Sequence, residues 1–137
     1  MAQITAEQAQ LKVIAKLHEE KLRKIKVCAF DIDGVLSDGT LTYLGEELGY
    51  VRSANVLDGF GMKILMKAGI KVGVISGGDA PGLRKRYIDL LKLDFVHLGN
   101  EDKRDAFLKV KALGPYQDEE ILYMGDEFID LPILARV

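Results

Sequence analysis

The residues best suited to chemistry in this sequence are four aspartates in two short segments. Asp31 and Asp33 are two positions apart, and Asp126 and Asp130 belong to the segment GDEFID at 125–130. In a pair such as Asp31 and Asp33, one carboxylate can attack phosphorus while the other transfers a proton to the leaving oxygen. Because a carboxylate is repelled by a phosphate dianion, this attack requires a hard divalent cation, and magnesium prefers oxygen ligands. The pattern predicts a magnesium-dependent phosphoryl-transfer site.

Other residues could bind the phosphoryl group during such a reaction. Ser76 offers a hydroxyl, and the backbone amides of Gly77 and Gly78 could approach phosphate oxygens. Lys103 offers a positive charge for the transition state. Each feature alone is weak, because Asp-x-Asp and Ser-Gly-Gly are common in loops and a lysine that opens a helix is usually solvated. Their order along the chain favours a site, since each one follows a predicted strand.

The elements that must position these residues alternate between strands and helices. Apolar and β-branched runs predict strands at 27–30, 71–75, 95–98 and 121–124. Amphipathic segments predict helices at 5–22, 58–67, 81–91 and 102–113. Such alternation predicts parallel βαβ units in an α/β doubly wound parallel sheet. Ligands bind at the carboxyl ends of the strands in these sheets, so all the residues above are expected at one edge.

Two local features complete the predicted organisation. Residues 1–25 are expected to form a helical extension that begins with a capping box, Thr5 and Gln8, and residues 26–137 are expected to form one core domain. A β-hairpin flap is predicted from 41–43 and 48–51, with its turn at a glycine. Asp58 is expected to cap the helix that follows it.

Composition excludes several classes of protein. The chain has 137 residues, 48% of them hydrophobic, which is enough for one packed core. Its formal net charge of −2 argues against a nucleic-acid-binding protein. The single cysteine, Cys28, cannot form a disulfide within the chain. No signal peptide and no apolar stretch near the ~18 residues of a membrane span is apparent. We therefore expect a cytoplasmic protein with no membrane partner.

The motifs resemble those of the haloacid dehalogenase superfamily of phosphohydrolases, from about Lys26 onward. The segment DIDGVLSDG at 31–39 resembles the first signature of that superfamily, and ISGG at 75–78 resembles the second. Lys103 resembles the third, and GDEFID at 125–130 the fourth. The resemblance implies a Rossmann-like phosphatase core.

The same resemblance implies a role for each matching residue. Asp31 would be the nucleophile and Asp33 the general acid and base. Magnesium would be held by Asp31, the backbone carbonyl of Asp33 and Asp126, while Asp130 would orient the metal's ligands or a bound water. Two side chains would hold the transferring phosphoryl group, Ser76 and Lys103.

A narrower resemblance is to the 3-deoxy-D-manno-octulosonate 8-phosphate phosphatases, a subgroup without a cap domain. It is carried by VLSDG at 35–39, by NVLDGFGMKILMKAGIKVGVISG at 55–77 and by GNEDK at 99–103. The resemblance implies a sugar-acid phosphate as substrate, bound by Gly77, Gly78 and Arg86. It also implies a homotetramer that closes each site with hairpins and tails from neighbouring chains.

Two differences from the subgroup keep alternatives open. Gly78 stands where an arginine is usual, and the sequence stops at Val137, where relatives continue with a strand, a helix and a glycine-rich tail. The chain is therefore expected to be either naturally short or truncated. Another eight- or nine-carbon sugar acid phosphate is the alternative substrate, and a noncatalytic subunit is the alternative function. A signalling receiver domain is a third hypothesis, but it would need an aspartate at the end of a middle strand, where this sequence has Ser76 or Gly99.

Overall fold

A computed structural model of the chain describes residues 4–137. The helices are α1 (Ala6–Leu17), α2 (Glu19–Leu22), α3 (Val56–Lys67), α4 (Pro81–Arg84), α5 (Lys103–Lys111) and α6 (Leu131–Leu134). The strands are β1 (Val27–Phe30), β2 (Thr42–Tyr43), β3 (Tyr50–Val51), β4 (Lys71–Ile75), β5 (Phe95–His97) and β6 (Ile121–Met124). A π-helical segment, Lys85–Leu90, continues α4, and single 3₁₀ turns occur at Asp118–Glu120 and Phe128–Asp130.

The main sheet has four parallel strands in the order β5-β4-β1-β6. Strand β1 lies inside the sheet, where Val27 is level with Lys71 of β4 on one side and with Ile121 of β6 on the other. Since the strands are parallel, their carboxyl ends meet at one edge of the sheet. The predicted parallel sheet is confirmed, and β1, β4 and β6 have the predicted bounds.

Consecutive residues of β1 point to opposite faces of the sheet, and side chains on both faces are buried. Val27 and Ala29 pack in one cluster with Phe107 of α5. Cys28 packs in the other cluster with Met62 of α3. Helices therefore cover both faces, as a doubly wound sheet requires. Cys28 is free and buried.

Helices α1 and α3 differ from the prediction at their ends. The first does begin with the capping box of Thr5 and Gln8, but it ends at Leu17, and α2 follows after His18. The cap of α3 is Asn55, whose side chain accepts a hydrogen bond from the amide of Leu57 at 2.9 Å. The prediction of Asp58 as the cap is therefore wrong. Asp58 instead lies in the first turn, where a negative charge also favours the helix dipole.

The segment between β1 and α3 contains no further domain, only a small hairpin of β2 and β3. Its strands have two residues each, and the rings of Tyr43 and Tyr50 pack across them at a centroid distance of 5.2 Å. The prediction of a capless core with a hairpin flap is thus confirmed, although the strands are shorter than predicted. Among residues 4–137, no helix combines the length and the apolar character needed to cross a membrane.

Candidate active site

Asp31 lies directly after β1 and is buried, with 3% of its surface exposed. Its Oδ1 accepts a hydrogen bond of 2.7 Å from the amide of Ile32 and lies 3.0 Å from the Nζ of Lys103. Burial raises the pKa of Asp31 above its ordinary value, although the hydrogen bond from Lys103 opposes that change. The side chain is therefore oriented by two donors at the end of a central strand.

Lys103 is the first residue of α5, and its side chain is fully buried. The start of α5 is fixed by Asp102, whose carboxylate accepts a hydrogen bond from the amide of Arg104. Besides Asp31, the Nζ of Lys103 contacts Asp130 at 2.6 Å and the hydroxyl of Tyr123 at 3.4 Å. The ammonium group thus has three oxygen partners, which compensates the cost of burying its charge.

Asp130 is fully buried and accepts four hydrogen bonds. Its Oδ1 receives them from Lys103 and the hydroxyl of Tyr123, and its Oδ2 from the amides of Asp126 and Glu127. Burial alone would raise the pKa of Asp130, but these hydrogen bonds outweigh burial and hold the pKa below its ordinary value. Since both oxygens are already occupied, Asp130 is suited to position its neighbours more than to bind a metal itself. Tyr123 was not among the predicted site residues, because its only sequence signal is its place on an apolar strand.

Asp126 follows β6, and its carboxylate lies against Gly34 in the loop after β1. A Cβ built at Gly34 would be 1.9 Å from the Oδ2 of Asp126, and the φ of Gly34 is +85°. Both the close approach and the backbone conformation therefore require glycine at this position. Carboxylate oxygens of Asp31, Asp126 and Asp130 lie within 4.8 Å of one another. An all-oxygen set of this kind fits Mg²⁺.

The loop after β4 brings Ser76, Gly77 and Gly78 to the same edge. Ser76 is buried, and its Oγ accepts a hydrogen bond of 3.2 Å from the amide of Gly78. A Cβ at Gly77 would be 3.3 Å from the Cγ of Glu101, in the loop before α5, and a Cβ at Gly78 would be 3.3 Å from the Oδ2 of Asp33. The four predicted motifs therefore converge at one edge of the sheet, as the strand order requires.

The side chain of Asp33 is held by Arg52, which follows β3 of the hairpin. The Nε of Arg52 is 2.5 Å from the Oδ1 of Asp33, and its Nη2 is 2.8 Å from the Oδ2. Ser37 also contacts the Oδ1, at 3.4 Å. Arg52 was not among the predicted site residues, since an arginine after a short strand carries no signal that distinguishes it from a solvated residue.

Arg86 does not contact the four aspartates. Its Nη2 donates a hydrogen bond of 2.9 Å to the backbone carbonyl of Asn55, and its buried Nε has no partner within the described part of the chain. Arg86 and Arg52 line the same small cavity of about 90 Å³, together with Ser37 and Tyr50. The structure thus places Arg86 beside the hairpin, next to the site.

Comparison with known proteins links this geometry to one group of enzymes. Over 120 residues the chain is 42% identical to a 3-deoxy-D-manno-octulosonate 8-phosphate phosphatase of Haemophilus influenzae. The aligned region covers 85% of this chain and 64% of that protein. The chain therefore spans less than two thirds of the length of this curated relative. No family model matches the chain.

Solved structures give the same result. A structure described as a haloacid dehalogenase superfamily hydrolase of subfamily III A, from Legionella pneumophila, superposes with a TM-score of 0.81 at 36% identity, over 93% of this chain and 70% of that one. A 3-deoxy-D-manno-octulosonate 8-phosphate phosphatase from Moraxella catarrhalis superposes with a TM-score of 0.75 at 28% identity, over 87% and 67%. That structure is a complex with a magnesium ion, a phosphate ion and a KDO molecule.

Proposed function

The chain belongs to the haloacid dehalogenase superfamily, and from this premise we propose that it is a magnesium-dependent phosphatase of 3-deoxy-D-manno-octulosonate 8-phosphate. The observation that carries the proposal is the buried carboxylate of Asp31 at the end of a central strand, with Lys103 on one side and Asp126 within metal-binding distance. We assign the catalytic core to residues 26–137.

The first half of the proposed reaction forms an aspartyl phosphate. A carboxylate oxygen of Asp31 attacks the phosphorus atom while the bond between phosphorus and the ester oxygen breaks. Asp33 donates a proton to the ester oxygen, which leaves as the hydroxyl of the sugar acid. Lys103 is buried and fixed by Asp130, so its charge can stabilise the transferring phosphoryl group without reorganisation.

The second half regenerates the enzyme. Asp33, now deprotonated, accepts a proton from a water molecule that attacks the phosphorus of the aspartyl phosphate. The bond between phosphorus and Asp31 breaks, and inorganic phosphate leaves. Ser76 and the amides of Gly77 and Gly78 lie at the same edge and are assigned to the phosphate oxygens.

Magnesium fits the carboxylate oxygens at this edge, and we assign it to Asp31, Asp126 and the backbone carbonyl of Asp33. When bound, the ion would neutralise the charge of the phosphate and of the attacking carboxylate. Asp130 positions the loop after β6 by accepting hydrogen bonds from the amides of Asp126 and Glu127. A shared preference for magnesium is supported by the ion bound in the Moraxella catarrhalis structure.

The names of the relatives support the substrate assignment, since each is named as a phosphatase of a phosphorylated eight-carbon sugar acid. A phosphate of another eight- or nine-carbon sugar acid is the second candidate, since Gly78 replaces the arginine usual in the subgroup. A noncatalytic subunit that retains the motifs is the alternative from a different class.

We also propose a homotetramer assembled through the hairpin. Apolar residues of this segment are about half exposed: Leu41, Tyr43, Leu44, Leu48 and Tyr50. An isolated two-stranded hairpin is marginal in water, and contact with neighbouring copies would bury these side chains and cover strand edges. Each hairpin would then border a neighbour's site.

Phosphate release from a panel of phosphorylated sugar acids, with and without magnesium, tests the function. We expect turnover of 3-deoxy-D-manno-octulosonate 8-phosphate to exceed that of the other sugars and to stop when magnesium is chelated. Release of phosphate from no ester, with the fold and magnesium binding intact, would instead support the noncatalytic subunit.

A further inference from the structure

The contact between Arg52 and Asp33 is the one feature of the site that conflicts with the proposed reaction. Both oxygens of Asp33 accept hydrogen bonds from the guanidinium group, at 2.5 and 2.8 Å. The side chain of Arg52 is 7% exposed and that of Asp33 is 26% exposed, so the pair is largely shielded from water. While both oxygens are engaged, Asp33 cannot approach the leaving oxygen of a substrate.

The position of Arg52 depends on the absence of a side chain at residue 78. A Cβ built on Gly78 would lie 2.5 Å from the Nη2 of Arg52 and 3.4 Å from its Cζ. Any other residue at 78 would therefore force the guanidinium group to move. The guanidinium group of Arg52 therefore occupies the space that a side chain at residue 78 would take.

The cavity beside Arg52 offers a place for a replacement anion. It has a volume of about 90 Å³, and Arg86 also lines it. The Nε of Arg86 is buried without a partner among residues 4–137. Because Arg52 and Arg86 both line this small cavity, a carboxylate placed there would lie near two positive charges.

We propose that Arg52 is a specificity-determining residue that exchanges the carboxylate of Asp33 for the carboxylate of the substrate. This inference rests on the proposed phosphatase function. A sugar-acid phosphate brings its own carboxylate to the guanidinium group, and Asp33 is then free to serve the leaving oxygen. Breaking a shielded ion pair with no replacement is costly, whereas exchange of one carboxylate for another keeps the arginine paired. Phosphate esters without a second anionic group would leave Asp33 engaged.

The test compares the wild-type chain with Arg52→Gln and Arg52→Lys on two substrates. One is 3-deoxy-D-manno-octulosonate 8-phosphate, and the other is an aldohexose 6-phosphate, which has no carboxylate. The matched control is Arg84→Gln, because Arg84 also pairs with an aspartate, Asp79, but in an exposed pair that does not involve Asp33.

For Arg52→Gln we expect kcat/KM on the sugar-acid phosphate to fall by about 10- to 100-fold, mainly through KM, as expected for a lost charged hydrogen-bond pair. On the aldohexose phosphate, kcat should rise, because Asp33 is no longer held by Arg52. Arg52→Lys keeps the positive charge but loses the paired hydrogen bonds of the guanidinium group. Its ratio of kcat/KM for the two substrates should therefore lie between those of the wild type and Arg52→Gln. Arg84→Gln should preserve the ratio of the two substrates.

An equal loss on both substrates in Arg52→Gln would overturn the exchange and leave Arg52 with a structural role, while the proposed function would stand. A wild-type chain that turns over no phosphate ester would overturn the proposed function. In that case calorimetry with the free sugar acid decides the exchange independently of turnover. Binding should weaken about tenfold in Arg52→Gln and remain unchanged in Arg84→Gln, and equal binding to all three proteins would overturn the proposal.

Discussion

The ammonium group of Lys103 lies 2.6 Å from the Oδ1 of Asp130, and both side chains are completely buried. Lys103 opens α5, while Asp130 ends the turn after β6, so the contact joins two loops that are distant in sequence. Because Lys103 also lies 3.0 Å from Asp31, this pair places a fixed positive charge beside the proposed nucleophile.

Replacing Asp31 by Asn should abolish phosphate release while the fold is retained. An amide has nearly the same shape as a carboxylate but cannot attack phosphorus. Turnover should fall by at least about 10³-fold, which corresponds to about 4 kcal/mol in the activation barrier. Steady-state kinetics with circular dichroism as a fold control checks this, and activity within tenfold of the wild type would contradict the mechanism.

Asp126→Ala should weaken magnesium binding, because it removes one carboxylate from the proposed ligand set. Isothermal titration with magnesium measures the effect directly, without reference to activity. Asp105→Ala is the matched control, since Asp105 is an exposed aspartate paired with Lys109 on α5. Equal magnesium affinity in the two variants would show that the ion does not bind at Asp126.

Tyr123→Phe should destabilise the protein by about 1–3 kcal/mol. The substitution removes a buried hydroxyl that donates a hydrogen bond to Asp130, so this buried carboxylate loses one of its partners. Tyr43→Phe removes a hydroxyl that donates to Glu46 on the surface, and should change stability by less than about 0.5 kcal/mol. Denaturant unfolding of both variants checks the difference. Similar effects at the two positions would mean that burial of the Asp130 network contributes little.

His97 should make stability fall as the pH is lowered below neutrality. Burial lowers the pKa of His97 below its ordinary value of 6.5, and the nearby charge of Lys109 acts in the same direction, while Asp105 opposes it. Between the unfolded value of 6.5 and the lower folded value, the unfolded chain binds more protons, so the free energy of unfolding decreases as the pH falls.

In His97→Asn this slope should be smaller in the window just below pH 6.5, by at most the ~1.4 kcal/mol per pH unit that one proton contributes. Chemical denaturation at several pH values between about 5 and 7 measures it. An unchanged slope would indicate that His97 is protonated equally in the folded and unfolded chains.

Light scattering should give a mass near four times the 15.2 kDa of the chain. Replacing the exposed hairpin residues Tyr43 and Leu48 by Ser should shift the protein toward smaller species, because their apolar surface would no longer favour contact. The same substitutions at exposed Leu108 and Leu113, outside the hairpin, serve as the control. A wild-type monomer at micromolar concentration would rule out the proposed assembly.

Local pattern was sufficient for the sheet and for the order of the motifs. The runs at 27–30, 71–75 and 121–124 are short, apolar and rich in strand-forming residues. This pattern is typical of parallel strands that are buried on both faces of a sheet. The rule that ligands lie at the carboxyl ends of such strands then brings Asp31, Ser76 and Asp126 together with no knowledge of their contacts.

Contacts between side chains could not be predicted in the same way. Arg52 reaches Asp33 across 19 positions, and Tyr123 reaches Asp130 across 7. In each pair the two residues belong to different elements, so no periodicity within one helix or strand predicts the contact. Which atoms meet depends on the rotation of the hairpin, the level of neighbouring strands and the room left at Gly78. The sequence by itself determined that Asp31, Ser76 and Asp126 lie at the functional edge, because hydrophobic periodicity dictates where strands end. Only the tertiary structure decided which of them are paired, because packing across the loops sets those distances.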